Sequence, residues 1–219
     1  MSNKLRLGVL ASGGGTNLQA IIDRIQDGTL NAEIVLILSN KPGAGAIQRG
    51  QQAGIPTLCI DHRHHNSRLD FDRAMIAALT EAGAELVVMA GFMRLLSDEF
   101  LAAFPNRIMN IHPALLPAFP GLNAQKQALQ HGARVAGCTV HFVDSGVDTG
   151  PIIIQAAVPV LDDDTEETLA ARILRQEHRI YPEAVRLYAE GRLRITGRRV
   201  HITPSQASPD QALVNPPLP

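Results

Sequence analysis

Short apolar runs alternate with amphipathic segments along the first half of the chain. Leu5–Ala11, Glu33–Asn40, Pro56–Ile60, Glu85–Ala90 and Arg107–Ile111 are brief and mostly apolar, the signature of strands buried on both faces. Between them, Asn17–Gln26, Ala44–Ala53 and Ser67–Ala82 repeat their apolar positions at helical spacing. Buried strands separated by helices require right-handed crossovers, so the pattern predicts an α/β chain with a mainly parallel twisted sheet flanked by helices. The second half reads differently. It has longer strands at Ala136–Val143 and Ile152–Val160, then one long helix over Glu166–Glu190. Asp164-Thr-Glu-Glu167 offers a capping box for that helix, and Pro182 is expected to kink or interrupt it. Leu193–Ile195 and Arg199–Ile202 are expected to pair as a hairpin across Thr196-Gly197-Arg198. From Thr203 onward Pro, Ser, Gln and Asp dominate, so 203–219 reads as a flexible Pro-rich tail.

Composition narrows the class without naming a function. The chain has 219 residues, 45% of them hydrophobic, enough for one substantial core. Its formal net charge of -1 gives no electrostatic reason to expect a nucleic acid or an anionic membrane as partner. No secretory leader opens the sequence and no apolar run approaches bilayer length, which points to a cytoplasmic protein. Cys59 and Cys138 both lie in apolar runs and are expected to be buried free thiols. His62-Arg-His64-His65 lacks a matching Cys or carboxylate ligand pattern and reads as a solvated turn before a helix start at Asn66-Ser67. Asp162-Asp-Asp164 reads as helix capping. No metal is expected.

Three segments carry candidate chemistry. Asn110-Ile-His112-Pro113 ends an apolar run, and at strand spacing Asn110 and His112 point to the same side. Cys138-Thr-Val-His141-Phe-Val ends in an Asp- and Gly-rich turn that carries Asp148 and can return a carboxylate over a neighbouring strand end. An amide donor, an imidazole and an anion that favours imidazolium suit a reaction in which negative charge develops on a carbonyl oxygen. Pro113, Pro117 and Pro120 stiffen the loop beside them. The third segment, Ser12-Gly13-Gly14-Gly15-Thr16-Asn17, joins the first strand to the first helix, where close backbone approach and free amides can hold a phosphate. It is neither a Walker A loop nor a complete Gly-x-Gly-x-x-Gly fingerprint.

Asn110-Ile-His112-Pro113-x-Leu-Leu-Pro117-x-x-Pro120-Gly121 resembles the motif of folate-dependent glycinamide ribonucleotide transformylases, in the formyltransferase family. The glycine loop, Ala90-Gly-Phe-Met-Arg94, the Asp148 turn and Gln176-Glu177-His178 follow that family's order, so the likeness spans roughly residues 5 to 200. The resemblance implies a Rossmann-like formyltransferase fold with a C-terminal hairpin, here one domain over 1–202. Its N-terminal half would bind phosphate, and its C-terminal half would carry the folate and catalytic site. It implies formyl transfer from 10-formyltetrahydrofolate, the cosubstrate, to the amine of glycinamide ribonucleotide in purine biosynthesis, with no metal. Asn110, His112 and Asp148 would be catalytic, with His141 in support. Gly15, Thr16, Asn17 and Glu177 would bind the ribonucleotide. Arg68, Met93, Arg94, Leu95, Leu96 and Asn110 would bind the folate, with Arg68 near its glutamate tail. Three other readings stand beside this one. A methionyl-tRNA formyltransferase would add a tRNA-binding domain, and a formyltetrahydrofolate deformylase would use water as acceptor. A noncatalytic nucleotide-binding module would leave Asn110, His112 and Asp148 unexplained. Two departures from the family pattern fall in one loop: Ala114 stands where Ser is frequent, and Asn123-Ala124 where His-Thr is frequent.

Overall fold

The computed structural model describes residues 4–204; the expected tail beyond 204 lies outside the described residues. The chain divides into two compact units. The first is formed by described residues of Met1–Asn110 with Phe142–Ser145, the second by those of Ile111–His141 with Gly146–Pro219.

In the first unit, strands β1 (Leu5–Ala11), β2 (Ala32–Ser39), β3 (Thr57–Cys59), β4 (Leu86–Met89) and the start of β5 (Ile108–His112) lie in the order β3-β2-β1-β4-β5. Every one of these pairings is parallel, as the sequence pattern requires. Helices α1 (Thr16–Gln26), α2 (Gly45–Gln52), α3 (Arg68–Glu81) and α4 (Asp98–Ala103) make the crossovers. The core is built from Leu10, Leu36, Leu38 and Val87 of the strands against Phe71, Met75 and Leu79 of α3 and Phe100 of α4. Non-polar burial on this scale, at about 25 cal/mol per Å², is the main term holding the layers together. Ser67 starts α3, its hydroxyl accepting from the Asp70 amide, as Asn66-Ser67 suggests. Cys59 departs from expectation: it is exposed, because β3 is the last strand of this unit's sheet.

In the second unit, β6 (Val135–Phe142) pairs antiparallel with β7 (Ile152–Pro159), which pairs parallel with β9 (Arg199–Ile202). β9 and β8 (Leu193–Thr196) form the expected hairpin, with Leu193 opposite Ile202. Helix α5 (Ala124–Gln130) follows the proline loop, and α6 spans Glu166–Ala189. Pro182 does not interrupt α6. It removes one intrahelical N–H, but Tyr181, Pro182, Ala184 and Val185 are all buried, and that packing outweighs the lost bond. The capping box is shifted by one residue from the expected Asp164–Glu167 pair: Thr165 caps, and its partner is Thr168. Asp164 is diverted to a bidentate ion pair with Arg172, and also accepts from the Leu161 amide. The Arg172 hydrogen bond, outweighing the cost of burial, holds the Asp164 carboxyl well below the usual carboxylate range. Cys138 is buried and free. Burial, then the charge of Glu177, pushes its thiol up to about 12.

Candidate active site

The first unit places two connections side by side. β1 pairs with both β2 and β4, and the chain leaves β1 toward β2 but leaves β4 toward β5. Open α/β sheets bind ligands at the carboxyl ends of strands where the winding reverses in this way. The glycine loop follows β1, and Gly91–Ser97 follows β4. Gly15 caps α1 with φ +72°, a left-handed conformation that glycine adopts without penalty. A Cβ there would also meet the Ala46 Cα at 2.7 Å, so the loop lies directly on the start of α2. The Ala46 amide donates to the Gly13 carbonyl, and Arg49 Nε donates to the Gly14 carbonyl at 2.8 Å. No side chain among the described residues caps α1; Thr16 begins the helix and Asn17, in its first turn, is buried.

After β4 the chain presents alternate faces. Met93 is 65% exposed and Leu95 58%, whereas the Arg94 guanidinium lies 5.4 Å from the centre of the Phe71 ring. Leu96 packs against the core. Arg68, the first residue of α3, is exposed and makes no hydrogen bond or ion pair among the described residues. Glu177 departs from the usual exposed acid of a helix: it is 7% exposed, near Cys138.

The second unit assembles the titratable cluster. The Asp148 carboxylate lies between two imidazoles, with Oδ2 3.2 Å from His112 Nδ1 and Oδ1 3.6 Å from His141 Nε2. Oδ2 also accepts from the Gly121 amide at 2.8 Å. Asp148 itself has φ +54°, a backbone state that Asp and Asn tolerate better than other side chains. Gly146 makes its turn possible, since a Cβ there would meet Thr149 Oγ1 at 2.0 Å. Burial pushes the Asp148 carboxyl up, but the His141 hydrogen bond, the Gly121 amide and the charges of His112 and His141 outweigh it and hold it below the ordinary value. On the far side of His112, Nε2–H donates to the Phe119 carbonyl at 2.8 Å. A carbonyl can only accept, and so can a carboxylate. An imidazolium therefore satisfies both neighbours. Asn110 stands two residues earlier in β5 and is half-buried.

The proline loop is fastened by more than its prolines. Thr139, fully buried in β6, donates to the Ala114 carbonyl at 2.6 Å and accepts from the Leu116 amide. Gln155 of β7 reaches the Leu116 carbonyl and Thr139 Oγ1. Ala114 is itself buried, so its methyl group fits where a hydroxyl would need a partner. Sequence reasoning missed Thr139 and Gln155; their signal is a polar residue on an apolar strand. It also missed Phe119 and Gly121, which act through backbone atoms and leave no mark in residue type. Among the His62–His65 cluster, His62 Nδ1 lies 3.3 Å from the Asn40 carbonyl and its ring meets the edge of Phe71.

An Asn-x-His strand end with its imidazole held by a turn carboxylate, in a chain that also carries a glycine loop at an α/β switch point, defines a class: the chain belongs to the formyl transferase family, whose model matches residues 5–185. It is 43% identical over 187 residues to the phosphoribosylglycinamide formyltransferase of Escherichia coli (strain K12), covering 85% of this chain and 88% of that one. It superposes on the crystal structure of glycinamide ribonucleotide transformylase 1 from Symbiobacterium toebii with a TM-score of 0.91 and 56% identity, over 92% of this chain and 95% of that one. The trifunctional purine biosynthetic protein adenosine-3 of Gallus gallus is 49% identical over 194 residues. That match covers 89% of this chain but 19% of the relative, so the chain spans about a fifth of that relative's length. No helix among the described residues is long and apolar enough to cross a membrane.

Proposed function

We propose that this chain is a phosphoribosylglycinamide formyltransferase that moves the formyl group of 10-formyltetrahydrofolate to the amine of glycinamide ribonucleotide, acting in the cytoplasm as one functional domain over residues 1–202 and needing no metal. The observation that carries this reading is the Asp148 carboxylate bridging His112 and His141 at the end of an Asn-Ile-His strand. The neutral amine attacks the formyl carbon, and the carbonyl oxygen becomes an oxyanion on a tetrahedral centre. The Asn110 amide donates to that oxygen, and the imidazolium of His112 stabilises it. The Phe119 carbonyl marks the direction in which His112 Nε2–H makes a hydrogen bond, and the oxyanion competes with it as the stronger acceptor. Asp148 favours the imidazolium, and His141 holds the other carboxylate oxygen. Collapse breaks the bond to the folate N10, which takes up a proton as the ammonium nitrogen of the new amide loses one.

In this reading Gly15, Thr16 and Asn17 hold the phosphate at the start of α1, and Glu177 binds the ribose hydroxyls. Met93, Arg94, Leu95 and Leu96, together with Asn110, receive the pterin, while Arg68 meets the glutamate tail. Both substrates are small molecules; neither a nucleic acid nor a membrane is involved. Steady-state turnover with both substrates tests the assignment. Folate consumption should require the ribonucleotide and release no formate. Formate released without ribonucleotide would make the chain a deformylase instead.

A further inference from the structure

Gly91–Ser97, the segment read above as the folate platform, has little regular structure, and its two ends are tied to the sheet and to α3 by buried side chains. At its start the Ser12 amide donates to the Gly91 carbonyl at 3.1 Å, and the Met93 amide donates to Ser12 Oγ at 3.0 Å. Ser12 Oγ in turn donates to Asn40 Oδ1 at 2.6 Å. That bond fixes the hydroxyl proton on Asn40 and leaves an oxygen lone pair for Met93. At the other end the Ser97 amide donates to Asp72 Oδ2 at 2.6 Å, and Ser97 Oγ goes on to cap α4 by accepting from the Phe100 amide. Ser12, Asn40, Asp72 and Ser97 are all buried.

Asp72 is costly for the fold. It sits on the buried stripe of α3 with Phe71, Met75 and Leu79, and its Oδ1 is buried without a hydrogen-bond partner among the described residues. An apolar residue at this helical position would serve the core better, and a half-satisfied buried carboxylate is a stability loss. Such groups persist where they set a geometry that the core does not need. Here that geometry is the alternation between the two ties: Met93 and Leu95 turned outward, Arg94 turned in over Phe71.

We infer that Asp72 and Ser12, the latter oriented by Asn40, are positioning residues that hold Gly91–Ser97 in the shape that receives the flat ring of the formyl donor. The inference rests on the proposed folate reaction. Without either tie, Met93 and Leu95 sample orientations that do not form a continuous apolar surface, and donor binding weakens by the population lost. The phosphate end of the ribonucleotide is held elsewhere and is left unaffected by Asp72.

The test compares wild type with Asp72→Ala, Asp72→Asn and Ser12→Ala. Each is titrated with tetrahydrofolate at equilibrium, assayed for both KM values, and followed by amide hydrogen exchange at Met93 and Ser97. Asp72→Ala should weaken tetrahydrofolate binding and raise the donor KM about tenfold, with the ribonucleotide KM changed less than about twofold. Asp72→Asn keeps an acceptor for the Ser97 amide and should recover most of the loss. Exchange at Ser97 should quicken in Asp72→Ala, and exchange at Met93 in Ser12→Ala. If Asp72→Ala fails to fold, the donor-binding loss and Met93 exchange in Ser12→Ala decide alone. Equal losses in both KM values, or unchanged tetrahydrofolate affinity despite faster exchange, would overturn the inference. Wild type that binds no tetrahydrofolate would overturn the folate reaction itself, a separate failure.

Discussion

Replacing Asp148 by Asn removes one charge from the buried cluster and, with its Oδ1 kept toward the Gly121 amide, turns an amide N–H toward His141 in place of a carboxylate oxygen. Asn tolerates the +54° φ of this position nearly as well as Asp, and its Oδ1 can still accept from the Gly121 amide. What is lost is the attraction between the carboxylate and a His112 imidazolium 3.2 Å away. At that separation the pair is worth about 1 kcal/mol in bulk water and about 5 kcal/mol at an effective dielectric constant near 20. The His112 and Asp148 side chains are only 6% and 13% exposed, which places the pair well away from the bulk-water limit. Removing the charge should therefore cost on the order of 3 kcal/mol in the transition state, roughly a hundredfold in kcat, with both KM values nearly unchanged. A double-mutant cycle isolates the pair. His112→Ala alone should lower kcat severely, and adding Asp148→Asn to it should then cost less than about threefold, because groups acting as a unit cannot each be lost twice. Additive losses across the cycle, measured by single-turnover kinetics with both substrates saturating, would refute the coupling.

Further expectations follow from the other parts of the structure. Arg68→Ala should raise the KM of a donor carrying a glutamate tail several-fold while leaving that of a tail-less folate and of the ribonucleotide unchanged, as separate titrations would show. Gly15→Ala forces a Cβ to 2.7 Å from the Ala46 backbone at a positive φ, so it should cost on the order of 2–3 kcal/mol of stability and weaken ribonucleotide binding, read by denaturant unfolding and by titration. Asp164→Asn should lower Tm by roughly 5 °C at neutral pH by breaking the Arg172 pair. The Asp164 carboxyl is depressed in the fold, so its stabilisation is complete above the ordinary value of 3.8 and is lost as pH falls through the folded value; the Tm gap between wild type and variant should close in strong acid.

Much of the architecture was legible because strand and helix periods differ and because each long element buries one face. Strands β1, β2 and β7 and helices α1, α3 and α6 lie within a residue or two of the runs that announced them. α4 and α5, of six and seven residues, are too short to display a helical period, and neither was anticipated. Cys59 read as buried because its apolar run gives no sign that β3 lies at an edge. The shift of the α6 cap followed from Arg172, eight residues away, capturing Asp164. For the candidate site, the Asn110–His112 spacing and the Asp-Gly turn were visible as residue types. The contact of Asp148 with both His112 and His141 depends on strand pairing and turn geometry that no local pattern encodes. Glu177 was found only through likeness to a family, and its burial is the physical sign that it is more than a solvated helix residue. The backbone partners Phe119 and Gly121 were invisible, since every residue offers a carbonyl and nearly every one an amide.

In the proposed reaction the formyl carbon ends up bonded to the amine nitrogen of the ribonucleotide. The most direct measurement supplies 10-formyltetrahydrofolate labelled with carbon-13 in the formyl group and glycinamide ribonucleotide labelled with nitrogen-15 in the amine, and follows both nuclei by NMR with purified enzyme. The carbon signal should move to a formamide and split by one-bond coupling to nitrogen-15, at a rate cut about a hundredfold in Asp148→Asn. Label appearing instead as free formate, with the amine nitrogen unchanged, would contradict the proposed reaction.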